Sequence, residues 1–304
     1  MNIQADKSNL ANVLEMSGLL IENESMAAHT SWRTGGTADR YYIPADVSDL
    51  SEFVKSLAKD EEIHWLGLGS NLLVRDGGIR GTVIAMTGVI DDLEKQEQGI
   101  RVGAGVTCAK TARFAASSGF TGAEFLAGIP GTMGGALAMN AGAFGGETWD
   151  VVDSVEIMDR QGNIHNRRRN EFDVDYRYVS LPEGELFIAA DLRLDTGVEE
   201  NSRSNIRELL NKRNESQPTG VYSCGSVFRN PQGDYAGRLI ESCGLKGYSI
   251  GGATVSEKHA NFIINTGTAT SSDIEKLIEH VQQVVIEKCG VGLESEVRII
   301  GEQA

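Results

Sequence analysis

The chain has 304 residues and a formal net charge of -15, with 40% hydrophobic and 23% charged residues. A length above about 250–300 residues predicts more than one domain, because single hydrophobic cores stop growing near that size. The acidic balance argues against nucleic acid and anionic membrane surfaces as partners, since phosphate neutralisation dominates such binding. A phosphorylated small molecule stays compatible with this charge, provided that the positive potential at its site is local.

The sequence carries no pattern typical of export, membrane insertion or metal binding. MNIQADKSNL at the N-terminus lacks the basic and apolar regions of a signal peptide, and no apolar run reaches the roughly 18 residues of a membrane span. The histidines are scattered and the cysteines form no CxxC pair. We therefore expect a cytoplasmic protein with reduced thiols and no metal. A monomer is expected as well, with an oligomer left open. The cysteines are Cys108, Cys224, Cys243 and Cys289.

The first two thirds of the chain alternate irregularly between strand and helix patterns. An amphipathic helix is predicted over residues 46–60, with Ser48 or Asp49 as its cap. Residues 79–198 are rich in strands and contain one helix over 107–119, which favours an α+β fold with mixed sheets over regular βαβ units. The strand patterns cover residues 41–46, 63–69, 81–86, 99–105, 154–160 and 186–194.

The last third of the chain begins near Gly197 with a polar helix over residues 202–218. A second helix is predicted over 273–290, because its apolar residues recur at helical spacing before Gly290 ends it. These apolar residues are Ile274, Leu277, Ile278, Val281, Val284 and Val285. A final strand over 292–301 would alternate its side chains between two faces. One face would carry Glu294, Glu296 and Arg298, and the other Leu293, Ser295, Val297 and Ile299.

The segment that starts at Gly99 approaches a dinucleotide-binding fingerprint. It reads as a strand, then Gly103-x-Gly105-x-x-Cys108, then a helix. The third small residue of the fingerprint is replaced by cysteine, and no second strand ends in the acidic residue that a Rossmann site needs. We therefore expect a tight strand-to-helix turn here and no Rossmann site.

Two Gly-bearing segments are candidates for holding phosphate groups. In residues 128–146, GIPGTMGGALAMNAGAFGG, seven of the nineteen residues are glycine and none is charged. Bare backbone approaches a ligand closely, and successive N–H groups bind anions without lysine or arginine. Residues 67–74, GLGSNLLV, offer a second such segment. Two segments of this kind suit a dinucleotide, although close packing of turns explains the same composition equally well.

Three polar residues attract attention without deciding a function by themselves. Ser226, in CGSVFRNP, lies outside a GxSxG nucleophile motif, but a serine hydroxyl can also donate a proton to a carbanion. The alternative is a serine in an ordinary turn. Glu296 and Arg177 equally suit exposed positions on a strand or loop. The basic run 167–169 is interpreted as a solvated turn, since it lacks aromatic neighbours.

Seven segments together resemble the UDP-N-acetylenolpyruvoylglucosamine reductase family, in the family's order and over about residues 29–301. They read HTSWRTGG, LGLGSNLLV, AGIPGTMGGALAMNAGAFGGE, DYRYVS, GSVFRNP, AGRLIESCGLKGYSIGGATVSEKHANFIIN and LESEVRIIG. The resemblance implies an α+β FAD-binding fold of the vanillyl-alcohol-oxidase type, with two α+β subdomains over 1–78 and 79–198. It implies an α+β substrate domain over 199–304, with the final strand 293–301 packing back on the first subdomain.

The resemblance also implies a reaction. Members of this family reduce UDP-N-acetylglucosamine enolpyruvate to UDP-N-acetylmuramate for peptidoglycan synthesis, with FAD as cofactor and NADPH as reductant. No histidine matches a covalent attachment motif, so we expect non-covalent FAD. A related FAD oxidase or dehydrogenase acting on another substrate is the alternative. It would have no reason to combine GSVFRNP with the C-terminal glutamate.

The family's functional positions carry over residue by residue. Arg177 corresponds to the arginine beside the enol ether, Ser226 to the serine that protonates the substrate, and Glu296 to the catalytic glutamate. Substrate contacts are implied for Tyr176, Arg229, Asn230 and Lys246. FAD contacts are implied for Gly67, Leu68, Gly69, Ser70, Asn71, Leu72, Leu73, Pro130, Gly131, Thr132, Gly134, Gly135, Ala136, Asn140, Gly142, Ala143 and Arg298.

The chain departs from the family's pattern at one position and resembles the family's shorter class. Phe144 stands where many relatives have tyrosine, so any contact of that hydroxyl is not carried over. The spacing from Arg177 to Ser226 and from Ser226 to Glu296 is too short for the extra folded insertion of the longer class. We therefore expect another part of the protein to cover the substrate.

Overall fold

The computed structural model describes residues 16–304. Their α-helices are α1 (Val47–Ser56), α2 (Cys108–Ser117), α3 (Met133–Ala138), α4 (Glu199–Ser216), α5 (Ala236–Ser242) and α6 (Ser271–Cys289). Short 3-10 helices cover Met26–His29, Glu124–Gly128, Thr148–Asp150 and Arg169–Glu171. In this part of the chain, no helix combines the length and the apolar character needed to cross a membrane.

The strands are short and numerous, as the sequence predicted. They are β1 (Leu19–Ser25), β2 (Thr37–Ile43), β3 (Ile63–Leu66), β4 (Leu72–Val74), β5 (Ile79–Ala85), β6 (Leu93–Gln96), β7 (Gly99–Gly103), β8 (Phe120–Thr121), β9 (Gly142–Ala143), β10 (Gly146–Glu147), β11 (Val152–Met158), β12 (Ile164–Arg168), β13 (Val174–Asp175), β14 (Tyr178–Val179), β15 (Leu186–Arg193), β16 (Asp195–Thr196), β17 (Ser249–Ile250), β18 (Ala253–Val255), β19 (Ile263–Asn265) and β20 (Arg298–Ile300).

The chain forms two compact units that alternate along the sequence. Unit 1 contains the described residues as far as Glu22, together with Arg40–Gly67 and Gly81–Leu210. Unit 2 contains Asn23–Asp39, Leu68–Arg80 and Asn211–Ala304. The segments 23–39 and 68–80, which the sequence assigned to the first FAD-binding subdomain, thus group with the C-terminal part of the chain.

Unit 1 is built on a five-stranded antiparallel sheet with the order β12-β11-β15-β7-β6. Apolar residues of α2, such as Ala112 and Ala116, share a buried cluster with Ile100 and Val102 of β7. Another sheet has the order β1-β2-β5-β3, and most of its residues belong to this unit. A second buried cluster lies here, in which the rings of Tyr42 and Phe53 stack with centroids 3.6 Å apart.

The helix cap predicted for α1 was wrong. Asp46 caps the helix, since its side chain accepts a hydrogen bond from the main-chain nitrogen of Asp49 at 2.9 Å. The Asp49 carboxylate is buried and accepts bonds from Tyr42 Oη at 2.6 Å and from the main-chain nitrogens of Ala45 and Ser17, each at 2.9 Å. Serine and aspartate are both common N-cap residues. The Asp49 carboxylate does not cap the helix because it is bonded to Tyr42 and to the backbone of Ala45 and Ser17.

The Gly103–Cys108 segment forms the predicted tight turn between β7 and α2. Both neighbours of β7 are antiparallel to it, so no βαβ unit exists here. A Cβ on Gly105 would lie 2.9 Å from Ile90 O, and Gly105 N donates to that oxygen at 2.8 Å. Close backbone approach, not a bound nucleotide, therefore explains this glycine.

Unit 2 combines a parallel pair, β20 with β4, and an antiparallel sheet of order β17-β18-β19. Trp32 is fully buried in its core and donates from Nε1 to Ile263 O at 2.8 Å. The predicted face of α6 is confirmed: five of its six apolar residues are buried, and Val284 packs partly against the same cluster. Gly290 ends the helix in the left-handed conformation, with φ 69°, as predicted.

The final strand is shorter than predicted. Only Arg298–Ile300 pairs with β4, because the residues before it bond to a different segment. Arg229 N donates to Glu294 O at 2.9 Å, and Glu296 N donates to Val227 O at 2.8 Å. The alternation of faces persists, with Leu293 buried and Glu294 exposed.

Candidate active site

In unit 1, the Gly-rich loop is fastened to the start of α2. Met133 N donates to Val106 O and Gly134 N to Ala104 O, both at 2.8 Å. Thr132 is the N-cap of α3, and its Oγ1 accepts from Gly135 N at 3.4 Å. The amides of Met133 and Gly134, which the sequence left available for a ligand, are thus bonded within the protein. Pro130 and Gly135 lie at the loop surface and are exposed.

The two Gly-bearing segments meet at Gly67. A Cβ added to Gly67 would lie 2.5 Å from Thr132 Oγ1, so a side chain here would fill the space between the segments. This close approach fits a site that needs bare backbone on both segments. Ala136, in contrast, is buried in the core, where its methyl group packs against the protein.

Arg177 lies in a tight turn that joins β13 to β14. Its φ of 56° lies in the left-handed region, which costs a residue with a Cβ about 1–2 kcal/mol. The side chain is 13% exposed. Its guanidinium donates from Nη1 to Asn140 O at 3.3 Å and from Nη2 to Gly142 O at 3.2 Å, and it covers the exposed ring of Tyr176, with Cζ 4.9 Å from the centroid.

Asn140 is committed to the protein by its side chain. It is 2% exposed, with φ 46°. Nδ2 donates to Glu147 Oε2 at 2.8 Å and to Asp175 O at 3.2 Å, and Oδ1 accepts from Trp149 N at 3.1 Å. An FAD contact expected of this residue would therefore come from its main chain. Its side chain joins the loop to the Arg177 turn.

Gly142 has a second reason to be glycine. A Cβ at this position would lie 2.7 Å from Gly146 O, 3.1 Å from the Glu147 side chain and 3.2 Å from Arg177 Nη1. Gly142 and Glu147 are also paired across the two-stranded sheet of β9 and β10. The expected FAD-binding residues Gly142 and Ala143 are both half-buried, and Gly142 leaves room for the guanidinium.

In unit 2, three segments named by the sequence are bonded to one another. Glu296 N donates to Val227 O at 2.8 Å, which sets Ser226 and Glu296 on neighbouring backbone segments. Asn71 Nδ2 donates to Glu296 O at 2.9 Å, and Arg298 N donates to Asn71 O at 3.1 Å. The unit 2 part of the expected FAD segment thus adjoins both expected catalytic residues of this unit.

The remaining residues of that FAD segment play different parts. Gly69 has φ 60°, and its carbonyl accepts from Ser31 N at 3.1 Å. Leu68 is exposed, and Ser70 and Leu72 are half-buried. Leu73 is fully buried in the core of unit 2, so its side chain supports the segment from below.

Ser226 is half-buried and follows Gly225, which has φ 77°. The turn is held by Asn261, which is 3% exposed. Asn261 Nδ2 donates to Phe228 O at 2.8 Å, Phe228 N donates to Asn261 Oδ1 at 3.0 Å, and Val227 N donates to Asn261 O at 2.9 Å. These bonds fix the backbone on which Ser226 is carried.

The expected substrate-binding residues of unit 2 already have partners in the protein. Lys246 Nζ lies 2.7 Å from Glu241 Oε1, and Arg229 Nη1 lies 3.8 Å from Glu294 Oε2. Asn230 Oδ1 accepts from Ala236 N at 3.1 Å, at the start of α5. Asn230 is exposed, and Lys246 and Arg229 are half-buried.

The thiols of Cys108 and Cys224 are buried, and burial raises the pKa of each to about 12. Such thiols are poor nucleophiles at neutral pH. Within residues 16–304, no group of three or more His, Cys, Asp or Glu side chains is arranged to hold a metal ion.

Comparisons with known proteins agree over almost the whole chain. Residues 217–300 match the model of the UDP-N-acetylenolpyruvoylglucosamine reductase C-terminal domain, and residues 38–167 match an FAD binding domain. The reductase of that name from Methylococcus capsulatus is 55% identical over 286 residues, which cover 94% of each chain. This chain belongs to the UDP-N-acetylenolpyruvoylglucosamine reductase family.

Other members of the UDP-N-acetylenolpyruvoylglucosamine reductase family extend the comparison. The protein of Legionella pneumophila strain Corby is 54% identical and covers 96% of each chain. The crystal structure of the Thermus caldophilus reductase superposes with a TM-score of 0.80 at 33% identity, covering 93% of this chain and 99% of its own. The expected fold class, an α+β FAD-binding fold followed by a further α+β domain, is confirmed.

Two residues that contact the expected site were not predicted from the sequence. Glu147 and Asn261 both lie inside segments that carry the family resemblance, yet neither received a role. Glu147 had a local signal, since it is the first charged residue after the uncharged 128–146 loop. Asn261 had no local signal, because its partner Phe228 lies 33 positions away in the sequence.

Proposed function

We propose that this chain is an NADPH-dependent flavoenzyme that reduces UDP-N-acetylglucosamine enolpyruvate to UDP-N-acetylmuramate, in cytoplasmic peptidoglycan precursor synthesis. Membership of the reductase family supports the reaction. The observation that carries the assignment to this chain's own residues is the junction in unit 2. There Glu296 bonds through its backbone to both Val227 and Asn71. The expected proton donor Ser226, the carboxyl group of Glu296 and the expected FAD segment therefore lie on neighbouring stretches of backbone.

FAD is the cofactor that these residues suit. The bare backbone at Gly67 and in the 131–135 loop of unit 1 would hold its phosphates. Asn71 and Arg298 are the FAD contacts proposed for unit 2. We propose that it is bound non-covalently. When bound, FAD would take hydride from NADPH and pass it to the methylene carbon of the enolpyruvyl group. The FAD-binding match over residues 38–167 and the C-terminal match over 217–300 support a boundary between them, and the division at residues 1–78, 79–198 and 199–304 stays a proposal.

Arg177 would bind the carboxylate of the enolpyruvyl group. Negative charge develops on the carbon next to that carboxylate during reduction and spreads into it as an enolate. A guanidinium fixed by the Asn140 and Gly142 carbonyls can stabilise this charge without reorganising. The left-handed backbone at Arg177 supports this role, because strained residues persist where the side chain makes an interaction that glycine cannot make.

Ser226 would donate a proton to the carbanionic carbon, which fixes the stereocentre. Its backbone is held by Asn261, so the hydroxyl is carried on a rigid turn. Glu296 would donate a hydrogen bond to the substrate's carboxylate when protonated. Its carbonyl and nitrogen are both bonded, which fixes the direction from which the side chain leaves the backbone.

The nucleotide part of the substrate would contact Tyr176, Arg229, Asn230 and Lys246. Lys246 is paired with Glu241, so a diphosphate that reaches it must compete with a carboxylate. This pairing predicts that substrate affinity falls with salt less steeply than for an unpaired lysine.

Product analysis tests the proposal directly. The FAD-loaded protein would be incubated with NADPH and UDP-N-acetylglucosamine enolpyruvate, and the products separated by mass. A gain of two mass units on the nucleotide sugar, matched mole for mole by NADPH consumed, is the expected result. NADPH consumption that depends on oxygen but not on the nucleotide sugar would favour a flavin oxidase and overturn the proposal.

A further inference from the structure

Glu147 lies against the residues that hold Arg177. It belongs to β10, opposite Gly142 of β9, and its side chain is 33% exposed. One carboxylate oxygen, Oε2, accepts from Asn140 Nδ2 at 2.8 Å. The other, Oε1, lies 3.9 Å from Arg177 Nη1. The carboxylate therefore faces a neutral donor on one side and the guanidinium on the other.

Asn140 connects this carboxylate to the Arg177 turn in a second way. Its Nδ2 faces two acceptors, Glu147 Oε2 and Asp175 O, and its Oδ1 faces the main-chain nitrogen of Trp149. These three partners fix which way the amide points. The main-chain oxygen of Asn140 then accepts from Arg177 Nη1 at 3.3 Å, so the residue that Glu147 orients is also the residue that receives the guanidinium.

We propose that Glu147 is a positioning residue that sets the guanidinium of Arg177 for the substrate carboxylate. Its negative charge attracts the Arg177 guanidinium directly, with Oε1 3.9 Å from Nη1. Its Oε2 also orients the Asn140 amide by accepting a hydrogen bond from Nδ2. The inference rests on the proposed function, which gives Arg177 a carboxylate ligand. It predicts that removing the charge of Glu147 affects ligands that carry a carboxylate and no others.

Glu147→Gln is the sharpest substitution. It keeps the size of the side chain, but an amide offers one acceptor and one donor group where the carboxylate offered two acceptors. Either Asn140 Nδ2 or Arg177 Nη1 would then face an NH₂ group. The matched control is Glu156→Gln, also in unit 1, which breaks the closer Arg101–Glu156 pair at 2.8 Å on the five-stranded sheet.

The first measurement is ligand affinity of the FAD-loaded protein, by calorimetric titration. UDP-N-acetylmuramate carries the carboxylate, and UDP-N-acetylglucosamine lacks it. We expect E147Q to raise the dissociation constant of the first about 10-fold and to leave that of the second unchanged, whereas E156Q changes neither. Equal weakening of both ligands by E147Q, or of neither, would overturn the proposal.

The second measurement is a double-mutant cycle on reoxidation of the reduced flavin by the enolpyruvyl substrate. E147Q alone should slow this step by about 10- to 100-fold, the range for a misplaced catalytic group, with flavin reduction by NADPH unchanged. In an Arg177→Ala background it should add nothing. A further slowing of the same size in that background would contradict a role through Arg177.

Two further results separate the possible failures. If E147Q does not fold, as judged by its circular dichroism and FAD content, the same cycle is run with Glu147→Asp, which keeps the charge and shortens the reach. That variant should also be slowed only when Arg177 is present. If the wild-type flavin is not reoxidised by the substrate, the proposed function fails and this inference falls with it. Wild-type turnover with an unaffected E147Q overturns the inference alone.

Discussion

The side-chain amide of Asn261 bonds twice to the backbone of Phe228, donating from Nδ2 to Phe228 O at 2.8 Å and accepting from Phe228 N at 3.0 Å. Phe228 is 2% exposed and follows the Ser226 turn by two residues. The buried amide supplies one donor and one acceptor to the main chain of Phe228, while the flanking Val227 and Arg229 bond to the backbone of Glu296 and Glu294. The Ser226 turn therefore depends on a residue from the HANFIIN segment.

Asn261→Ala should lower the free energy of unfolding by about 2–4 kcal/mol. The change removes two hydrogen bonds and leaves Phe228 N and O buried without their partner. Urea denaturation followed by circular dichroism measures the loss. Asn214→Ala, at an exposed helical position, is the control and should cost less than about 0.5 kcal/mol. A loss for N261A no larger than that of the control would contradict the role given to the amide.

Ser226→Ala should damage one half-reaction only. Flavin reduction by NADPH should stay near the wild-type rate, while reoxidation by the enolpyruvyl substrate slows by about 10²–10⁴-fold, the range for a lost general acid. Rapid-mixing absorbance follows each half-reaction separately. Ser223→Ala is the matched control, since the buried Ser223 Oγ has no hydrogen-bond partner among the residues described, and both of its half-reactions should be unchanged. Equal slowing of both half-reactions by S226A would assign Ser226 to flavin binding instead.

Arg177→Gly and Arg177→Ala should differ in stability but not in chemistry. Both remove the guanidinium and should slow reoxidation by the substrate alike. Glycine accepts a φ of 56° without steric cost, so R177G should be about 1 kcal/mol more stable than R177A. Arg33 has the same φ, and the pair R33G and R33A should show the same gap. A difference in stability between R33G and R33A, with none between R177G and R177A, would contradict the strain assigned to the Arg177 turn.

Asp49→Asn should destabilise the protein at neutral pH and much less in acid. Burial alone would raise the pKa of the Asp49 carboxyl, but the hydrogen bonds from Tyr42 and from the nitrogens of Ala45 and Ser17 outweigh it and hold this pKa below its ordinary value. A lowered pKa stabilises the folded state above the unfolded value of about 3.9, and this contribution is lost as the pH falls through the folded value.

The unfolding free energies of wild type and D49N measured between pH 7 and pH 2 check this expectation. The wild type should be more stable by about 2–3 kcal/mol at pH 7, the worth of bonds to a charged acceptor, and the gap should shrink below about pH 4. Asp60→Asn, at an exposed position, should show no such gap. A D49N gap that is constant with pH would mean that the carboxylate charge contributes nothing.

The sequence predicted elements whose cause is local and missed relationships whose cause is tertiary. The face of α6 and its end at Gly290 follow from periodicity and one glycine, so they could be predicted. The cap of α1 at Asp46 is also local, but the bonds that occupy the Asp49 carboxylate come from Tyr42 and Ser17 and could not be predicted from spacing. Spacing alone likewise gives no reason to assign Asn261 to the Ser226 turn.

The expected site residues were assigned by resemblance, and the structure adds how they pack within the protein. Gly142 stays a predicted FAD contact, and a Cβ there would also meet Gly146 O, Glu147 and Arg177. Asn140 was expected to bind the cofactor, yet its side-chain nitrogen and oxygen both bond to groups of the protein. A motif identifies which residues matter, and packing shows which of their atoms are already bonded within the protein.

The most direct test of the proposed reductase follows the flavin through both half-reactions. The FAD-loaded protein would be reduced anaerobically with one equivalent of NADPH and mixed rapidly with UDP-N-acetylglucosamine enolpyruvate, while absorbance is recorded in the flavin band. Return of the oxidised spectrum without oxygen, with UDP-N-acetylmuramate formed in equal amount, is the predicted result. A flavin that stays reduced with this substrate and is reoxidised only when oxygen is admitted would contradict the proposed function.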